Sequence, residues 1–241
     1  MKHFVRPLVL SGAAMLLSAG IGLSAGTNNA AGVKTAPGAD KYILLSSNVL
    51  EELNLSRTKP VEYARYVEAH LGTFIDDNTY EHGGQKHRVN EGKKAVQEAI
   101  DFLKKVKPVS SLKDADGLAG AAQDHVEDIG PLGIVGHVGS DKSKPEDRMK
   151  RYGAWEKTCG ENVAFGLKDA RAFVIQLIVD DSVPDRGHRK NIFNPDFRLV
   201  GVAAGPHKEY GLMCAMDFAG VFKEKKKRKP TKKEPGDGAG Q

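Results

Sequence analysis

The sequence predicts an α+β domain in which helices lead and a β-hairpin closes the chain. Three observations carry that reading. Apolar residues recur at helical spacing up to about residue 129 and again over 169–181. Two β-compatible runs, RLVGVAAG and YGLMCAMDFAG, come late and are separated only by Pro206 to Glu209, which suits an antiparallel hairpin. No strand–helix–strand unit repeats, as a parallel sheet would require. A chain of 241 residues is long enough for one substantial core or two small ones.

Taken in order, residues 1–30 read as an export signal, 31–45 as a linker, 46–221 as the domain and 222–241 as a basic disordered tail. Lys2 and Arg6 precede the apolar, small-residue stretch PLVLSGAAMLLSAGIGLSAG, so secretion or a periplasmic, cell-envelope location is expected. Ile43, Leu44, Val49, Leu50, Leu53 and Leu55 space a first helix. In TKPVEYARYVEAHL, Pro60 suits an early helical position, and Tyr63, Val67 and Leu71 fall at four-residue steps. FIDDNTYEHGGQKHRVN breaks the pattern and reads as an irregular excursion. EGKKAVQEAIDFLKKV is amphipathic through Val96, Ile100 and Leu103, with Pro108 as its stop. Asp114 or Asp116 is placed to cap GLAGAAQDHVEDIG. Glycines at 130, 133, 136 and 139 mark GPLGIVGHVGSDKSKPEDRMKRYG as loop. ENVAFG reads as a short strand or turn, and DARAFVIQLIVDD as a helix capped by Asp169.

Charge narrows the function classes. The formal net charge is +5, and the segment from Lys223 onward, with eight Lys or Arg against three acids, accounts for all of it. A neutral body argues against nucleic acid as a partner, whereas the basic tail suits an anionic envelope or lipid surface. Cys159 and Cys214 are the only cysteines. An oxidising compartment permits them to bridge, which would stabilise the fold by roughly 4 kcal/mol; two buried free thiols are the alternative. The chain has no G-x-S-x-G elbow, HExxH, P-loop or C-x-x-C. His82 and His87 read as loop surface and His125 as part of a helix. His137 in GHVGSD, Glu161 in CGENVAFG and His188 in RGHRKNI remain, and imidazoles with a carboxylate suit a divalent metal site or acid–base chemistry.

GHVGSDKSKPEDRMKRYG, CGENVAFG, VIQLIVDD and GHRKNIFNPDFRLVGVA, in this order, resemble the bacterial branch of the CAP superfamily. This is the SCP-like family, related to cysteine-rich secretory proteins, antigen 5 and pathogenesis-related proteins. The resemblance runs from about Val49 to Val221 and is weakest between Gly72 and Lys107. It implies a three-layer α-β-α sandwich with a mainly antiparallel central sheet. It also implies a central cavity in which His137 and His188 can hold zinc or another divalent ion, with Glu161 beside them. Asp181 takes the position of the family's second acid, with Asp180 as the alternative. Around the site, Gly160, Asn162 and Asn191 are scaffold, Gly187 permits a tight approach, and Arg189 turns away to a carboxylate or carbonyl. Two functions follow from the resemblance. One is an extracellular module binding lipid, peptide or cell-wall material in the cavity. The other is a metal-assisted, peptidase-like hydrolase with Glu161 and Asp181 as catalytic acids.

Overall fold

Residues 39–225 are described by the structure, a computed structural model. The expected export signal and most of the basic run lie outside the described residues. Helix α1 (Ala39–Thr58) already covers much of the segment read as linker, and it buries Val49 and Leu53 completely. Helix α2 (Pro60–Leu71) starts on its proline and buries Tyr63, Ala64 and Val67. The expected irregular excursion instead holds a hairpin, β1 (Thr79–His82) and β2 (Gln85–Arg88). Gly83 and Gly84 turn it with φ of 56° and 72°, which suits a two-residue turn with both φ positive. Helix α3 (Lys93–Lys105) follows, with Ala95, Val96, Ala99, Ile100 and Leu103 inward.

The short strand β3 (Lys113–Asp114) leads into α4 (Asp116–Ile129), where neither expected aspartate serves as the cap. Ala115 holds the N-cap position, and the first-turn Gly117 N–H donates to Glu224 from the far end of the chain at 3.0 Å. A further helix, α5 (Pro145–Tyr152), occupies the end of the stretch read as loop. Strand β4 (Gly153–Phe165) is much longer than ENVAFG and carries a bulge between Glu156 and Cys159. Helix α6 (Ala170–Val179) is capped by Asp169, which accepts from Ala172 N at 2.9 Å. A short helix α7 (Gly187–Phe193) precedes the hairpin of β5 (Leu199–His207) and β6 (Gly211–Glu224). Residues 222–224 therefore complete β6 and are not part of a tail.

The main sheet has the order β3-β5-β6-β4, antiparallel except for the two-residue β3–β5 pairing. Alternation along β5 and β6 gives it two buried faces. Val200, Val202, Ala204, Met216 and Phe218 join the large core that includes α1, α2, α3 and α6. Ala203, Met213, Ala215 and Ala219 lie on the other face, under α4 and α5. Helices on both sides of one sheet make the three-layer α-β-α sandwich. Gly201 sets the spacing of one layer: a Cβ there would lie 1.8 Å from Ala119 N of α4. Stacked Phe197 and Phe218, with centroids 5.3 Å apart, anchor the other side, each contributing about 1.5–3 kcal/mol by burial.

The expected disulfide is overturned by the register. Cys159 lies opposite Ala219, while Cys214 lies opposite Ala164, five positions along β6. That is about 17 Å at ~3.4 Å per residue, against a bridging limit near 7 Å. The thiols also lie on opposite faces, Cys214 in the large core and Cys159 beside Ala219 and Phe222. Both are free. Burial and the nearby Glu146 and Asp217 push the Cys159 thiol up to about 11, so it is a poor nucleophile at neutral pH. Unfolding the purified protein without reductant should expose two alkylatable thiols by mass spectrometry, and reductant should leave the melting temperature unchanged. Recovery of a linked Cys159–Cys214 peptide would contradict the register.

Candidate functional site

The glycine-rich loop between α4 and α5 carries His137, and three buried residues hold it in place. His125 of α4, itself fully buried, places its Nε2 2.8 Å from Gly136 O. Arg148 of α5 is also buried and donates from Nη1 to His137 O and Ser143 O, both at 3.1 Å. Its Nη2 donates to Glu161 Oε2 at 2.5 Å. The other oxygen, Glu161 Oε1, lies 2.8 Å from His137 Nδ1. A strand position thus fixes Glu161, Glu161 fixes the imidazole edge, and the loop backbone is clamped from behind. Burial lowers the His125 pKa, and because a carbonyl oxygen can only accept, its contact to Gly136 O is an N–H donation from Nε2.

His188 is placed by the turn between α6 and α7. Asp180 ends α6 in the left-handed region, with φ of 57°. Its Oδ2 accepts from His188 N at 2.9 Å and from Arg189 N at 3.3 Å, and its Oδ1 lies 2.6 Å from His188 Nδ1. Asn162 stitches the corner to β4 by donating to His188 O at 3.1 Å, and it accepts from Asn191 at 2.9 Å. Arg189 turns away from the site, donating to Ile178 O, Val179 O and Glu98. Gly160 packs against Phe197 and Asn191.

The two imidazoles meet with centroids 6.1 Å apart and planes tilted by 31°. Each has its Nδ1 held by a carboxylate, which leaves each Nε2 as the free ring nitrogen. His137 is the more open, its side chain 47% exposed against 23% for His188. Such carboxylate–imidazole pairs fix the orientation of a ring toward a ligand at Nε2.

Two expectations about the site are corrected. Asp181 does not face the imidazoles; its carboxylate accepts from the backbone N–H groups of Asn90, Glu91 and Gly92 at 2.8–3.0 Å. The left-handed turn at Asp180 ends the helix one residue earlier and sends the next side chain toward the β2–α3 link, so Asp180 is the second acid. Gly187 is not demanded by a tight approach either. A Cβ there would meet only the Asp185 carboxylate at 3.6 Å, and the residue in the left-handed region is Arg186, at φ 52°. Arg186 holds that conformation by donating to both Glu91 and Glu98.

Arg148 and Asp217 were missed in the sequence, and both adjoin Glu161. Arg148 hides in a charge-rich stretch, PEDRMKRYG, where nothing distinguishes it from solvated neighbours. Asp217 did leave a signal, a lone acid inside the apolar run LMCAMDFAG. It is fully buried and lies directly opposite Glu161 in the strand register.

Residues 87–218 match the profile of the cysteine-rich secretory protein family, a span that contains every residue of the site. The uncharacterized protein YkwD of Bacillus subtilis is 29% identical over 132 residues, 55% of this chain; the chain spans about half (48%) of that relative's length. Among solved structures, an SCP-domain extracellular protein of Bacillus anthracis is 19% identical over 53% of this chain and 38% of its own, with a TM-score of 0.38. An outer surface protein of Borrelia burgdorferi is 17% identical over 57% of this chain and 98% of its own, with a TM-score of 0.41.

Proposed function

The chain belongs to the cysteine-rich secretory protein family, the CAP superfamily, and from that premise we propose that it is an exported binding module whose ligand sits across His137 and His188. The carrying observation is the neighbouring pair of imidazoles, each with its Nδ1 backed by a carboxylate and its Nε2 left free. Val138 and Ile134, on the same loop as His137, are large apolar residues 50% and 40% exposed. A ligand with a polar group for the imidazoles and an apolar portion for this loop, a lipid or a peptide, fits both features. The charged N-terminal start followed by an apolar stretch supports export. No helix among the described residues is long and apolar enough to cross a membrane.

The donor set bears on the divalent ion that the family resemblance implies. Two free Nε2 atoms suit zinc or a similar ion. Among the described residues no group of three His, Cys, Asp or Glu is placed to hold a metal, and at this site Glu161 and Asp180 are engaged behind the rings. A closed four-ligand structural site therefore does not fit. An ion gripped by His137 and His188 alone, with its remaining positions open to water or ligand oxygens, does. Such an ion would supply a positive centre for a carboxylate, phosphate or hydroxyl group.

The hydrolase reading needs a carboxylate free to take a proton from water. Glu161 has a side chain 1% exposed and both oxygens committed, to His137 and Arg148, which favours binding over hydrolysis. Calorimetric titration of the protein with zinc alone should show one saturable site. The His137→Ala and His188→Ala substitutions should each weaken it at least tenfold, about 1.4 kcal/mol. Undiminished zinc binding by the double variant would place the ion elsewhere and remove it from this site.

A further inference from the structure

Asp217 sits where an ionised carboxylate would have no hydrogen bond. It is 0% exposed, in the centre of the sheet, with Glu161 of β4 opposite it on one side and Gly201 of β5 on the other. Neither of its oxygens has a hydrogen-bond donor. The charged and titratable groups around it are Arg148 and Glu146 from α5 and Glu161 and Cys159 from β4. His125 of α4 shares the neighbourhood of Glu161 and Arg148. Arg148 is the cation of this group, and its terminal nitrogens are committed to Glu161, His137 O and Ser143 O. An anion at 217 would be buried, unbonded and opposite a second carboxylate, an arrangement that costs several kcal/mol. A carboxylic acid at 217 carries its own donor, and Glu161 is the acceptor facing it.

We propose that Asp217 is a protonated carboxylic acid at neutral pH and donates its O–H to Glu161, so that His137, Glu161 and Asp217 form one hydrogen-bonded line from the exposed imidazole into the sheet. The proton stays on Asp217 and no transfer is involved. Asp217 is a positioning residue: it acts on the site through Glu161, and Arg148 balances the single negative charge that the two carboxyl groups share. Burial, and then the charge of Glu161, push the Asp217 carboxyl well above the usual carboxylate range, in agreement with the geometry. The inference concerns the chain's own residues and does not depend on what His137 and His188 bind, so a failure of zinc to bind leaves it standing.

The sign of the pH dependence follows from linkage. Above about pH 4 the unfolded chain has released the Asp217 proton while the folded chain keeps it, so this residue's contribution to stability falls as pH rises. Asp217→Asn, whose amide can donate to Glu161 without titrating, should match the wild type at pH 4 and be more stable at pH 8. The ratio of folding constants, variant over wild type, should grow by up to tenfold per pH unit across that window. Equal offsets at both pH values would mean a purely structural role and would overturn the proposal. A second measurement needs no variant. In protein labelled with ¹³C at aspartate side-chain carboxyls, the Asp217 carbon should keep its protonated shift at pH 7, when exposed aspartates have ionised. Titration of that carbon below pH 5 would falsify the assignment.

Discussion

Replacing Arg57 with alanine should destabilise the domain by about 4 kcal/mol and lower its melting temperature by roughly 10 °C. Arg57 is fully buried near the end of α1, and its guanidinium donates to four backbone carbonyls. These are Ser110 at 2.9 Å, Ile192, Asn194 at 3.2 Å and Phe197 at 3.1 Å. One side chain thus ties the first helix to the segment before β3 and to the whole α7–β5 corner. Burial lowers its pKa to about 10, which still leaves it charged at neutral pH. Truncation would leave several buried carbonyls without donors, each costing about 1–3 kcal/mol. Arg57→Lys should recover little, because one ammonium cannot span carbonyls that a planar fork reaches together. Urea melts of both variants provide the measurement. A loss below about 1 kcal/mol for Arg57→Ala would show that water replaces the guanidinium there.

Gly201→Ala should cost about 3 kcal/mol or more, and Gly201→Val should prevent folding. The added Cβ would fall 1.8 Å from Ala119 N and 2.1 Å from Leu118 C, both backbone atoms of α4. Backbone can yield only by moving the helix, and α4 carries His125, which holds the loop behind His137. The proper control is Gly205→Ala on the same face of the same strand. Its Cβ would meet Val126 Cγ1 at 2.4 Å, the end of a side chain that a rotamer change can move. Thermal melts should therefore rank Gly205→Ala well above Gly201→Ala. If the two melt alike, α4 is not seated on β5 as closely as described.

Where burial follows a simple period, the sequence was readable. Helices α2, α3 and α6 bury apolar residues at helical steps, and β5 and β6 show strand alternation with a short connection between them. The loop histidine, the strand glutamate and the α7 histidine were legible as motifs in a fixed order, and the structure brings all three together. Other features had no periodic signal. Helix α5 buries only Arg148 and Met149, so its inward face is half cation and disappears among neighbouring charges. The β1–β2 hairpin buries Tyr80 alone, too little to mark a strand pattern in a polar stretch. Choosing between Asp180 and Asp181 required the backbone, because a single left-handed residue decides which of two adjacent acids faces inward. The cysteines required a strand register, and spacing along a sequence does not contain one.

The position of β6 also governs when the chain can fold as it is made. It pairs along both of its edges, with β4 and with β5, yet it is the last described element to leave the ribosome. Until residues 211–224 emerge, β4 and β5 have no common neighbour, the two-sided core cannot close, and the α4 terminus lacks Glu224. The β4–β6 pairing, distant in sequence, forms slowly even once the chain is complete. A polypeptide emerging N-terminus first therefore closes its core only when nearly the whole domain is out.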